Sequence, residues 1–254
     1  MTGISIQEAL ARLDARIDWE RRDRSSGWRV DLDPIHDLVV RTGRPDRALQ
    51  ICHVAGSKGK GSVASLLGEA ISRSGRRVGV YGSPHVERMN ERIRIGGRPI
   101  DDGPLARALA DALEAVEAGE RESTAAAHAS WFDIVTAAAR CAFRDAGMEW
   151  AVLEVGLGGR LDSTNVIDPP AVAVVTTIAL EHTAILGSTL SALATEKGGI
   201  VKPGSRLVTG CDPAGEAGAT LAAIARDRGV PHTVAWSGDD STFEQSNVRV
   251  ARAA

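Results

Sequence analysis

The sequence has 254 residues, 43% of them hydrophobic, which is enough to bury a sizeable core in one large domain or two small ones. A formal net charge of −3 gives no general attraction to nucleic acid or to an anionic membrane surface, so neither is an expected partner. Cys52, Cys141 and Cys211 are odd in number and have no paired spacing, the pattern of reduced thiols and not of a disulfide frame or a zinc site.

The first residues lack the charged start and long apolar core of a signal peptide, and nothing later approaches a membrane span. The expected location is cytoplasmic. Residues 5–19 predict an amphipathic helix with Ile6, Leu10, Leu13 and Ile17 on one stripe. A polar break from Arg21 to Gly27 follows, in which Arg21, Arg22 and Arg24 read as a solvated face. Pro34 to Arg41 predicts a short helix, ended by Gly43 to Pro45. Leu49 to Val54 is an apolar run, and Val63, Leu66, Leu67, Ala70 and Ile71 follow at helical spacing. Arg77 to Tyr81 predicts a buried strand, and residues 91–100 a hairpin about Gly96-Gly97. Helices are expected at 102–118 and 130–146, then strands at Trp150 to Val155 and Ala171 to Ile178. Ser191 to Gly198 predicts a helix, Leu207 to Thr209 a strand, and Ala214 to Arg228 a helix. Strands alternating with helices, each strand buried on both faces, imply an α/β fold with a mostly parallel sheet over residues 1–236. Residues 237–254 are polar and read as a linker or a frayed end.

Between the first strand and its helix lies AGSKGKGS. Gly56, Gly59 and Gly61 let main-chain N–H groups approach an anion, the helix N-terminus adds its positive dipole end, and Lys60 is placed to reach phosphates. The P-loop pattern is matched imperfectly: its first glycine falls at Val54, and the hydroxyl expected after the lysine arrives one place late, at Ser62. Taken alone, the turn is as consistent with a tight connection as with a nucleotide site.

Other residues with chemistry stand where strands end, the place where open α/β sheets put ligands. Glu154 interrupts an apolar strand before a Gly-rich turn and offers oxygen to a hard cation such as Mg²⁺; pairing with Arg160 or a backbone amide is the alternative. Ser83 can give a hydroxyl to a metal or make the turn before Pro84. His182, a single histidine after a strand, is more often a hydrogen-bonded structural residue than a metal ligand. Lys197 is placed at a helix end, where the dipole alone would favour it.

HVAGSKGKGS, YGSPHVERMNERIRI, EVGLGGRLDSTNV and TTIALEHTAILGSTLSALATEKGGIVKPG, in that order, resemble the successive motifs of the folylpolyglutamate synthase/dihydrofolate synthase family of the Mur ligase superfamily. The resemblance runs from about Pro34 to Thr209. It implies a P-loop-type central domain and an ATP-dependent ligase that phosphorylates a carboxylate, folate-like or other. The amine of glutamate, or another amine, then attacks the acyl phosphate. It also implies roles. Gly56, Ser57, Lys58, Gly59, Lys60, Gly61 and Ser62 would hold the ATP phosphates. Ser83 and Glu154 would hold one Mg²⁺, and Glu154 with His182 a second. Lys197 would be carbamylated near the metal, and Lys60, His182 and Lys197 would be catalytic.

Departures accompany these matches. The family's Thr-Asn in the loop is Ser57-Lys58, its aspartate before the histidine is Glu181, and its substrate-side glutamate is Asp133. Family members carry a second, smaller α/β domain, whereas this sequence stops at Ala254, and EQSNVRVARAA resembles the start of that domain's first helix. The expectation is therefore a truncated or natural short form, with a separate chain as one source of the second domain. A nucleotide-binding module without catalysis is the competing reading.

Overall fold

A computed structural model describes residues 4–18, 31–238 and 242–254. The basic cluster at Arg21, Arg22 and Arg24 lies outside these residues, while the first helix ends at Asp14, short of the expected 5–19, and leaves Ile17 exposed. In chain order the elements begin with α1 (Ile6–Asp14), α2 (Asp33–Arg41), β1 (Gln50–Ala55), α3 (Lys60–Arg73), β2 (Val78–Tyr81), β3 (Ile93–Ile95) and β4 (Arg98–Pro99). They continue with α4 (Asp102–Glu122), α5 (Trp131–Asp145), β5 (Trp150–Glu154), β6 (Val172–Val175), α6 (Thr183–Leu186) and α7 (Leu190–Gly198). β7 (Arg206–Thr209), α8 (Glu216–Asp227), β8 (His232–Val234) and α9 (Phe243–Ala253) complete the fold.

The strands form one sheet in the order β4-β3-β2-β5-β1-β6-β7-β8, parallel except for the β3–β4 hairpin. Five of the strands are the apolar runs that sequence alone predicts. Side chains alternate between the faces of a strand, so β1 feeds two cores. Ile51 and Ala55 pack on one face, under α1, α2, α4 and α5 at one end and α7 and α8 at the other. Cys52 and Val54 pack on the opposite face, against Val63 and Leu67 of α3. The chain leaves β1 towards β2, and later leaves β5 to cross to β6 on the far side of β1. That reversal opens a crevice at the C-terminal ends of β1 and β5.

Two segments differ from expectation. His232–Val234 is a short polar edge strand that pairs with β7, without the apolar run that marks a central strand. Residues 243–253, read from composition as linker or frayed end and by resemblance as the start of a helix, form α9. Thr242 caps it by accepting from the Gln245 N–H, and Val250, 1% exposed, packs into the core beside Val63 and Leu67. Burying one valine contributes about 1.5–3 kcal/mol, which outweighs the polar composition of the other turns.

Candidate active site

β1 ends at Ala55 and the chain enters the glycine-rich turn. Gly59 adopts φ +81° and is the N-cap of α3, with no side chain capping that helix. The first N–H groups of α3 are therefore left for an external acceptor, reinforced by the helix dipole. Glycine is required here for a second reason: a Cβ at Gly59 would overlap Asn247 Oδ1 of α9. Asn247 is itself buried. Sequence reading did not single it out; a carboxamide amid the otherwise ordinary helix residues of EQSNVRVARAA carries no signal until the fold sets it against the loop.

The turn is held from the neighbouring strand. Ser57 N–H donates to Thr177 O at 2.7 Å, and the Ser57 hydroxyl donates to Ala179 O and accepts from Ala179 N–H, both at 3.0 Å. Thr176 Oγ1 donates to Lys58 O at 2.6 Å. Ser57 thus braces the loop from inside, while Lys58 is exposed, with Nζ 5.6 Å over the Phe243 ring. Ser62 is exposed on the first turn of α3.

Two lysines from different helices end on one acceptor. Lys60 Nζ donates to Gly56 O at 3.1 Å, and Lys197 Nζ donates to the same oxygen at 3.1 Å. Lys197 is 2% exposed and also donates to Glu181 Oε1 at 2.8 Å. Burial pulls the Lys197 pKa down, opposed by the Glu181 carboxylate. Burial acts to raise Glu181, but its bond from Lys197 leaves its pKa below the usual carboxylate value. The result is a concentration of positive charge at the base of an uncapped helix.

Glu154 closes β5, buried at 7% exposure, with both carboxylate oxygens about one van der Waals contact from where a side chain at Gly61 would start. It accepts a long, weak bond from Ser83 N–H at 3.4 Å. Burial raises its pKa, with Lys60 pulling the other way. The alternative pairing with Arg160 does not form: that guanidinium binds Glu196, Nε at 2.9 Å and Nη2 at 2.8 Å. Ser83, Glu154, Gly61 and Lys60 are therefore brought to one place.

His182 stands apart in the chain, after β6. It is exposed, at φ +46°, heading the four-residue α6. Among the described residues no group of three or more His, Cys, Asp or Glu side chains could hold a metal ion. Asp133, which the resemblance puts on the substrate side, is hydrogen-bonded at the start of α5. Its Oδ2 accepts from Ser130 N–H at 2.8 Å and Ser130 Oγ at 2.7 Å, and Oδ1 accepts from Ser163 Oγ at 2.6 Å. It is the third residue of a capping box that starts α5, so its oxygens are engaged internally.

No family model matches the chain. It is 41% identical over 173 residues to a folylpolyglutamate synthase of Lacticaseibacillus casei, covering 68% of this chain and 40% of that protein. It is 37% identical over 223 residues to a probable bifunctional folylpolyglutamate synthase/dihydropteroate synthase of Haloferax volcanii, covering 86% of this chain and 25% of that protein. A solved FPGS–AMPPCP–folate complex superposes with a TM-score of 0.86 at 30% identity, covering 98% of this chain and 66% of that one. The chain thus spans between a quarter and two fifths of these two curated relatives. No helix among the described residues is long and apolar enough to cross a membrane.

Proposed function

The chain belongs to the folylpolyglutamate synthase/dihydrofolate synthase family, and from that premise we propose that it forms the MgATP-binding part of an ATP-dependent carboxylate–amine ligase. The observation that carries the reading is the meeting of Lys60 and Lys197 at Gly56 O, beneath the uncapped start of α3. Two close cations with one carboxylate partner favour a polyanion above them.

In this reading the Gly56–Ser62 amides and α3 take the phosphates, Lys60 and Lys197 offset charge on the transferring phosphoryl group, and Asn247 lines the loop from α9. The donors also fit Mg²⁺. Glu154 is a desolvated carboxylate with only a weak N–H partner, Ser83 adds a hydroxyl one strand away, and Mg²⁺ is commonly held by one or two carboxylates with phosphates and water. Bound there, the ion would neutralise charge between phosphates. An oxygen of the acceptor carboxylate bonds to the γ-phosphorus as the bond to ADP breaks. The amine of glutamate then bonds to the acyl carbon, inorganic phosphate leaves, and the amine gives up a proton.

The acceptor is tested by ADP release in the presence of glutamate with pteroate, dihydropteroate and unrelated carboxylates. A folate-type acceptor is expected to give the fastest turnover. ADP release that ignores both carboxylate and amine would overturn the ligase reading.

A further inference from the structure

His53 lies in β1, two residues before Ala55, and is fully buried. Its Nε2 is 2.8 Å from Thr164 Oγ1. The Thr164 hydroxyl is in turn 2.5 Å from Asp162 Oδ1, which also accepts the Thr164 N–H at 3.0 Å. The other oxygen, Asp162 Oδ2, accepts from Gly156 N–H at 3.1 Å and Leu157 N–H at 2.9 Å. Asp162 already accepts three N–H bonds, and an ionised carboxylate is an acceptor only, so the single Thr164 proton points to it. The Thr164 lone pair then faces His53, and Nε2 must carry the imidazole proton. Nδ1, the nitrogen left bare, has no hydrogen-bond partner. Burial, with Lys202 and Arg140 nearby, lowers the His53 pKa to about 3, so the ring is neutral.

The middle of this chain is fixed from behind by two cations that occupy five consecutive carbonyls. Arg140 donates to Ser163 O, Thr164 O and Val166 O at 3.0, 3.2 and 2.6 Å. Lys202 Nζ donates to Asn165 O and Ile167 O at 2.8 and 2.5 Å. Its two ends are the parts that matter to the site. One is the strand that launches the phosphate loop. The other is the turn immediately after Glu154-Val155. The sheet ladder stops with Val155 N–H donating to Val54 O at 2.9 Å, and beyond it Asp162 closes the turn.

We propose that His53 and Thr164 are positioning residues, forming a one-directional relay from imidazole through hydroxyl to the Asp162 carboxylate that registers the phosphate loop against Glu154. The consequence for metal binding rests on the MgATP reading above; the relay itself does not.

The test compares Thr164→Val, which keeps the shape and removes the hydroxyl, with Thr164→Ser, which restores it. Loss of the relay should speed hydrogen exchange at the Gly156 and Leu157 amides about tenfold. It should also raise the Mg²⁺ concentration needed for half-maximal nucleotide binding about tenfold, leaving metal-free nucleotide binding unchanged. The serine variant should reverse both. Unaltered exchange in a folded valine variant, or weakening that is equal with and without Mg²⁺, would overturn the proposal. Should the wild-type chain bind no nucleotide, the ATP reading falls and the exchange arm decides the relay. Imidazole nitrogen shifts of the unmutated protein give an answer that needs no variant. A neutral Nε2–H ring from mildly acidic to mildly basic pH is expected, and a charged ring or an Nδ1–H tautomer would contradict it.

Discussion

Lys197 Nζ lies 2.8 Å from Glu181 Oε1, and this ion pair opposes the effect of burial on a lysine that is only 2% exposed. Reaction with CO₂ needs the neutral amine. Burial favours that form, while the Glu181 carboxylate favours the ammonium. Glu181→Gln removes the opposing influence, so it should raise the carbamylated fraction of Lys197 several-fold under bicarbonate. Carbamate signals from isotope-labelled bicarbonate measure this, and an equal or smaller fraction in the variant would count against the pair as the controlling contact.

Glu154 predicts a conflict between stability and function. Burial raises its pKa above the ordinary value of 4.5. Its contribution to stability is therefore full below that value and is lost as the pH rises through the folded pKa, where an unrelieved charge is buried. At neutral pH, Glu154→Gln should stabilise the ligand-free protein by about 1 kcal/mol. The same change should abolish the tightening of nucleotide binding by Mg²⁺. Urea denaturation with and without the ion checks both, and a variant that is less stable at neutral pH yet equally metal-responsive would contradict the assignment.

Two glycines with nearly the same backbone separate strain from contact. Gly43 has φ +82° and nothing within 4 Å of a Cβ position, whereas Gly59 has φ +81° and a Cβ there would meet Asn247. Gly43→Ala should cost about 1 kcal/mol, the left-handed penalty alone. Gly59→Ala adds the displacement of a buried side chain and should cost about 3 kcal/mol. Thermal melts of the two variants test the comparison; equal losses would show that α9 does not constrain the loop.

What the sequence made legible follows from which physical signal each residue carries. β1, β5 and β6 are apolar runs buried on both faces, and Gly96-Gly97 marks the β3–β4 hairpin, so periodicity and turn chemistry suffice. β8 was missed, and α9 was legible only through the resemblance of EQSNVRVARAA to a helix start, because an edge strand and a helix with one buried stripe leave mostly polar residues in view. The Gly-rich turn and the buried Glu154 were legible as candidates because a glycine cluster and an acid inside an apolar strand are costly without a purpose. The Ser130-x-x-Asp133 spacing is a capping-box signature legible in the sequence beside the resemblance. The convergence of Lys60 and Lys197 on Gly56 O was not legible as geometry, since it joins residues 141 positions apart. No local pattern encodes such a meeting.

The central claim is that the Lys60–Lys197 centre binds the phosphates of MgATP, and calorimetry on the unmutated chain beside Lys60→Ala tests it most directly. The account predicts a saturable heat with MgATP or its non-hydrolysable analogue in the unmutated protein. Binding in the alanine variant should be at least about tenfold weaker, the loss of one charge-assisted contact or more. Equal heats and equal affinities from the two proteins, with the variant shown to be folded, would contradict it.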